Sequence, residues 1–538
     1  MVGDLHRVSG RRAIVDAVLP CGQRYRRVSA TLVAVLAGIG LVFSTAARLQ
    51  AAETPSKLPN IVVILADDMG YGDLSCYNPD SKVPTPHVDK LAAEGIRFTD
   101  AHSPATVCTP SRYSILTGRM CYRIGVRGVL VGVDGPLITD DVLTLPQVLK
   151  ARGYRTAAVG KWHVGMTFYK EDGTPVAPRG GGVEKVRQVD FSRAITDGPT
   201  DRGFDYFFGT ACCPTTDWLY AYIENDHVVQ APTEQVHSDA KDWLEYDAFR
   251  SGLKSRDFEF DQVDLVFLEK SRKFLTEHVR NHPDRPFFLY HATQAIHLPA
   301  IPAPEFAGTT KAGPLGDFIA EFDAIVGRLC DTLDELGVAD NTIVVVTSDN
   351  GPEIVAAKVF NDYGHRSNGP WRGFKRDNWE GGHRVPLIVR WPGKIAPGGT
   401  CDETVCTTDL MATFAAISGY DLPATAAEDS LDISPLLLGE PHPSPFREFT
   451  VHETMSLALS VRSGKWKYLD HKGSGGNNYR APLLAPFFIE DTAPDTPGQL
   501  YDLEADPGER VNLVEKHADT AARLKQFLDR FRAGERST

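Results

Sequence analysis

Two short apolar runs that end in acids constrain this chain more than any other feature. Asn60–Ala66, NIVVILA, stops at Asp67-Asp68, and residues 341–351, NTIVVVTSDNG, carry Asp349-Asn350 at their end. Runs of this kind read as strands buried on both faces, which requires helices on both sides of a largely parallel sheet. In such sheets the groups that do chemistry collect at the C-terminal ends of the strands. Either acidic end alone reads equally well as a cap or turn. If the two strands are neighbours, four oxygen-bearing side chains surround one point. An irregular set of carboxylate and amide oxygens suits calcium better than magnesium, which prefers a strict octahedron.

The remaining pattern agrees with an α/β fold. Residues 88–95 and 141–151 read as helices, as does a segment starting near Thr109 or Pro110. YRTAAVGKWH reads as a strand delivering Lys161 and His163, and PFFLYHATQAIH as a strand leading into the loop of His297. Apolar residues recur at helical spacing over 317–336. Residues 168–200 and 226–256 lack periodicity and are expected as loops around a site mouth, with Gly180-Gly181-Gly182 a flexible loop lacking the strand–turn–helix context of a nucleotide site. A Pro-, Ser- and acid-rich stretch, 421–445, leads to runs that read as a small antiparallel sheet closed by a helix over 516–533. The expected fold is therefore a large, central, mostly parallel sheet flanked by helices, with a small C-terminal antiparallel-sheet subdomain. The expected divisions are 1–52, 58–425 and 426–538.

The first 50 residues carry seven arginines against Asp4 and Asp16, and after Arg27 comes VSATLVAVLAGIGLVFSTAA. A basic stretch, an apolar stretch and small residues read as a signal peptide over 1–52, and hence as export to the periplasm or the exterior; the alternative is an uncleaved membrane anchor, since the apolar stretch approaches transmembrane length. No later stretch is long enough to span a membrane, and no stable membrane partner is expected. With a formal net charge of -13 and no basic cluster in the body, the chain is not expected to bind nucleic acid. The nine cysteines form no paired CxxC units, which argues against structural zinc. Cys401 and Cys406 are near enough in sequence to pair in an oxidising compartment.

The second chemical feature is Cys108-Thr109-Pro110-Ser111-Arg112, followed by Thr117-Gly118-Arg119. A cysteine at the start of a helix sits where anions are favoured. This signature resembles that of the type I sulfatases of the alkaline-phosphatase-like superfamily. The resemblance extends through Gly160-Lys161-Trp162-His163, Ala295-Ile296-His297-Leu298-Pro299, Ser348-Asp349-Asn350-Gly351, Arg372-Gly373-Phe374-Lys375, Glu380-Gly381-Gly382 and Tyr501-Asp502-Leu503.

The resemblance implies hydrolysis of aryl or carbohydrate sulfate esters. It implies that a maturation enzyme oxidises Cys108 to formylglycine, whose hydrate is the nucleophile. Asp67, Asp68, Asp349 and Asn350, with the modified Cys108, match the calcium ligands. Lys161 and Lys375 match the lysines that bind sulfate, and Arg112 the arginine that holds the modified residue. His163 matches the partner of the diol hydroxyl, and His297 the histidine facing the bridging ester oxygen. Relatives carry a further polar residue on the sulfate; Thr167, Thr215, Thr216 and Asp217 are its candidates here. Trp218 and Tyr220 are candidates to stack on a sugar or aryl ring. His291 leans to the core, whereas His365 and His383 remain open. Two alternatives stand beside sulfate hydrolysis: a phosphoester or phosphonate ester hydrolase on the same machinery, and a noncatalytic glycan-binding protein.

Overall fold

The computed structural model describes residues 57–240 and 245–537, so the signal-peptide reading of 1–52 lies outside the described residues. The strands that matter are Asn60–Ala66 (β1), Ile96–Phe98 (β2), Arg155–Lys161 (β3), Tyr206–Thr210 (β4), Ile223–Glu224 (β5), His227–Val228 (β6), Phe287–Ala292 (β7), Thr342–Ser348 (β8), Leu387–Arg390 (β9) and Gly399–Cys401 (β10). They form one ten-stranded sheet in the order β10-β2-β9-β8-β1-β7-β3-β4-β5-β6. Its centre, β8-β1-β7-β3-β4, is parallel throughout. Antiparallel pairs appear only toward the edges.

Successive side chains of β1 point to opposite faces, as the strand period requires. Ile61, Val63 and Leu65 face one core, with helices Cys108–Thr117, Leu145–Ala151 and Leu410–Ser418. Val62 and Ile64 face the other, with helices Pro86–Glu94, Val263–Asn281 and Gly313–Glu335. All seven residues of β1 are buried. Each large apolar side chain taken from water contributes about 1.5–3 kcal/mol, so this central strand is strongly fixed in register.

Boundaries differ from the sequence reading where caps decide them. The 141–151 helix begins at Leu145, because Thr144 and Gln147 form a reciprocal capping box and Pro146 sits in the first turn. The 317–336 helix begins earlier, at Gly313, again with a proline in its first turn. The triple glycine is no mere loop: Gly182–Val186 makes a helical turn, and Lys185 is buried with its ammonium 2.5 Å from Asp134. Cys401 and Cys406 are free thiols rather than a pair. Among the described residues no helix is long and apolar enough to cross a membrane.

The C-terminal strands Thr450–Glu453 (β11), Leu459–Ser463 (β12), Trp466–Leu469 (β13) and Gln499–Asp502 (β14) form a separate antiparallel sheet. Helix Ala518–Arg532 covers it with Leu524, Phe527, Leu528 and Phe531. β11 also reaches the segment before Cys108: Thr106 N donates to Glu453 O at 3.0 Å, and Glu453 N to Pro104 O at 3.0 Å. A buried charge cluster makes a second bond to the large sheet's loops. Lys467 lies 3.0 Å from Glu380, 3.2 Å from Glu509 and 2.9 Å from His383, all fully buried. His383, open in the sequence reading, stacks on His452 of β11 and belongs to this junction. Burial holds both histidines well below the ordinary imidazole range.

Removing one partner from such a cluster leaves buried charge uncompensated. Lys467→Met is expected to cost about 3–5 kcal/mol. Denaturant unfolding of the full chain checks this, and an unchanged midpoint would show that the cluster does not hold the junction.

Candidate functional site

β1 and β8 are parallel neighbours with Ala66 opposite Ser348, so their acidic ends emerge side by side. Asp68 N donates to Asp349 Oδ1 at 3.2 Å, and Asn350 Nδ2 to Asp68 Oδ1 at 2.8 Å. Asp68 holds a left-handed backbone, φ 65°, which costs a non-glycine residue of order 1–3 kcal/mol and is held here by the surrounding bonds. β7 lies on the other side of β1. Asp67 N donates to Ala295 O at 3.0 Å and Ile296 N to Asp67 O at 2.8 Å, which carries the His297 loop to the same edge. β3 ends in Lys161, and its close approach to β7 requires glycine: a Cβ on Gly160 would stand 1.8 Å from Ala292 O.

Three acids and three cations meet here, all buried. Lys161 Nζ bonds Asp67 Oδ2. Lys375 Nζ reaches Asp68 Oδ1 at 2.7 Å and Oδ2 at 2.8 Å. Arg112 donates to Asp349 Oδ2 through Nε and its terminal nitrogen, each at 2.8 Å, and to Lys161 O at 2.9 Å. Burial opposes ionisation of Asp67, but Lys161, His297 and Arg112 hold its carboxyl down to about 2. Burial and the neighbouring Asp67 push Asp349 well above the carboxylate range. Acids so crowded favour a cation between them. The fit is concrete: Asp67 Oδ1 and Asn350 Oδ1 are buried without a hydrogen-bond partner. Oxygen atoms of Asp67 and Asp349 also lie within 4.8 Å of each other and of the Cys108 sulfur.

Cys108 opens its helix and is buried. A hydrogen bond from Cys213, then the charges of His163, Lys161 and Lys375, draw its thiol well below the usual range against the penalty of burial. His163 has φ 60° and donates from Nε2 to Leu130 O at 2.7 Å, leaving Nδ1 toward Cys213 Sγ at 3.9 Å. His297 Nδ1 bonds Leu298 O at 2.5 Å; Nε2 faces Cys213 Sγ at 3.8 Å and Asp68 at 3.9 Å. Cys108, His163, His297 and Lys375 all line one cavity of about 670 Å³. The structure therefore brings Asp67, Asp68, Cys108, Arg112, Lys161, His163, His297, Asp349, Asn350 and Lys375 to one sheet edge.

Three neighbours escaped the sequence reading. Cys213 lines the cavity between His163 and His297, as do the candidates Thr216 and Asp217, and Asp217 holds it by accepting its N–H at 2.6 Å. Thr167 instead bonds Asp197, and Thr215 accepts from Gln294. Glu353 pairs with Arg376 by two bonds, and both side chains line the cavity. Asp264, in a helix first turn, accepts the N–H groups of Gln294 and Ala295, each at 2.8 Å, and so fixes the loop of His297. The segment from Cys212-Cys213-Pro214 to Asp217-Trp218 resembles a loop near the substrate mouth of bacterial arylsulfatase-like proteins, which is the signal for Cys213; an acid on a helix gives none.

Other readings are settled by packing. Trp218 lines the cavity, whereas Tyr220 is fully buried against Phe258 and Phe260 and cannot meet a substrate. His291 is a core residue bonded to Ser271 at 2.8 Å, and burial lowers it to about 3. His365 bonds Asp73 at 2.9 Å inside the structure.

Comparison with known proteins gives a consistent result. The family model described as Sulfatase matches residues 59–420. The chain is 33% identical to the N-acetylgalactosamine-6-O-sulfatase of Bacteroides thetaiotaomicron, over 88% of this chain and 93% of that protein. It is 34% identical to human arylsulfatase A, over 88% of this chain and 87% of that one. A solved Bacteroides thetaiotaomicron structure from work on the metabolism of multiple glycosaminoglycans superposes with TM-score 0.74 at 31% identity, covering 89% of this chain and all of that one.

Asp264→Ala strands two buried N–H groups and is expected to cost about 1–3 kcal/mol. Thermal and denaturant unfolding measure it; retention of full stability would mean that Asp264 does not secure the His297 loop.

Proposed function

This chain belongs to the sulfatase family and hydrolyses sulfate esters, and we propose that it does so with a formylglycine made from Cys108 and a calcium ion held by Asp67, Asp68, Asp349, Asn350 and the modified residue. The observation that carries this reading is the pair of buried, unpartnered oxygens, Asp67 Oδ1 and Asn350 Oδ1, beside Cys108. When present, the two groups supply a nucleophilic oxygen and a positive charge that stabilises the oxygens of the reacting sulfate.

The chain's own residues do the rest. Lys161 and Lys375 bring two ammonium groups to the anion and hold its oxygens. Arg112 fixes Asp349 and, through Lys161 O, the end of β3. His297 turns Nε2 into the cavity, from where a proton passes to the leaving oxygen. Burial and Lys375 lower its affinity for that proton. A sulfate ester's negative charge acts in the opposite sense. His163, its Nε2 committed to Leu130 O, accepts a proton at Nδ1 beside residue 108.

The substrate class follows from the cavity and from the relatives. The cavity is large enough for a sugar unit with its neighbour, and Trp218, with Arg250 over its ring at 5.2 Å, is among the residues that line it. With the likeness to an N-acetylgalactosamine-6-O-sulfatase, this supports a sulfated glycan sugar as the substrate. The chain is further proposed to consist of a signal peptide over 1–52, a catalytic domain over 58–425 and a C-terminal subdomain over 426–538. Export to the periplasm or exterior and modification by a formylglycine-generating enzyme complete the proposal.

The test is co-expression with such an enzyme and mass spectrometry of the tryptic peptide Phe98–Arg112. Conversion replaces one sulfur and two hydrogens by one oxygen. The matured protein is expected to cleave an aryl sulfate, to lose that activity on treatment with a calcium chelator and to regain it with added calcium. Unmodified cysteine, in cells that mature a known sulfatase, would overturn the proposal. Lys375→Ala is expected to lower kcat/KM roughly 100-fold or more; a value near that of the unsubstituted enzyme would remove Lys375 from the sulfate site.

A further inference from the structure

A second cavity, of about 370 Å³, lies behind the segment that carries Lys375. Gly373 and Phe374 line this cavity, whereas Lys375 and Arg376 line the catalytic one. Its charge composition is unusual for an acidic chain. Arg366, Arg372 and Arg510 line it, and no aspartate or glutamate does. Among the described residues none of the three forms an ion pair. Arg372 is committed to carbonyls, donating to Glu509 O at 2.5 Å and Ile489 O at 3.1 Å. Arg366 and Arg510 are exposed, and Arg366 stacks over Phe360 at 4.7 Å.

The walls are aromatic. Phe360, Phe487 and Phe488 line the cavity with Trp371. Phe488 leaves 51% of its surface exposed, and the Trp371 indole N–H has no acceptor. Aromatic faces accept the C–H face of a sugar ring, and an arginine fork accepts a sulfate or carboxylate by paired N–H bonds. In a chain of net charge -13, anions are repelled at long range, so a site for one must concentrate cations locally. A volume of this size takes one ring.

We propose that this cavity is a noncatalytic carbohydrate site that holds a sulfated sugar of a glycan chain through Arg366, Arg510 and the ring faces of Phe487 and Phe488. The inference rests on the sulfated-glycan reading of the catalytic site and adds a second point of attachment to it. Two weak points on one chain raise overall binding without any change at the reacting sulfate.

Calorimetry on the full chain carrying Cys108→Ala, which cannot turn substrate over, tests the site. The probe is a glycosaminoglycan octasaccharide bearing 6-sulfated N-acetylgalactosamine, with its desulfated counterpart as control. R366A/R510A is expected to weaken binding of the sulfated chain roughly tenfold and to leave the control unmoved. In the matured Cys108 background, the same pair is expected to hold kcat/KM for an aryl sulfate within about twofold, because neither arginine lines the catalytic cavity. Unchanged affinity for the sulfated chain would overturn the proposal, as would an equal loss for the desulfated one. Absence of aryl sulfate cleavage by the matured parent would instead strike the catalytic reading and leave the binding comparison standing.

Discussion

The parallel pairing of β1 with β8 is the constraint on which the rest of the site depends. It sets Asp67-Asp68 beside Asp349-Asn350, and concentrates acid where water is excluded. Such a cluster does not survive burial alone. Each acid is therefore met by a cation from a different part of the chain: Lys161 from the end of β3, Lys375 from a late loop, and Arg112 from the helix opened by Cys108. Neutralising the acids thus gathers the catalytic groups. Folding stability and site assembly are the same set of bonds.

The C-terminal sheet takes part in this assembly. Its strand β11 bonds residues 104 and 106, within a few positions of Cys108, and Arg376 N donates to Thr106 O at 2.8 Å. Residue 108 is held from three directions: by its helix, by β11 and by the loop of Lys375. Glu453, at the end of β11, accepts the N–H of Tyr122 at 2.8 Å, and burial pushes its carboxyl up to about 8. The negative charge of Asp429 acts on Glu453 in the same direction as burial.

Much of this was legible because it follows from period and position. Buried strands announce themselves as apolar runs, and their polar ends mark the site edge; both central strands and both acid pairs were read in this way. The signature around Cys108 supplied what periodicity does not. The unread parts are those fixed by contacts distant in sequence. Cys213 reaches the site because His163 N bonds Ala211 O and Asp217 fastens its loop. Asp264 acts through two backbone N–H groups, which no side-chain pattern records. Tyr220, two residues from Trp218, reads as a ring for stacking until the packing of Phe258 and Phe260 buries it. Helix starts moved for the same reason: caps and prolines, not the apolar period, set them.

The charge balance also explains how a strongly acidic protein handles an anionic substrate. Lys161 and Lys375 pair with Asp67 and Asp68 at the sheet edge, and Lys375 lines the cavity with Arg376. The acids keep both ammonium groups charged: burial opposes their ionisation, and Asp67 and Asp68 raise them above the ordinary lysine range, so the positive charge that meets an anion is secured by the carboxylates beside it.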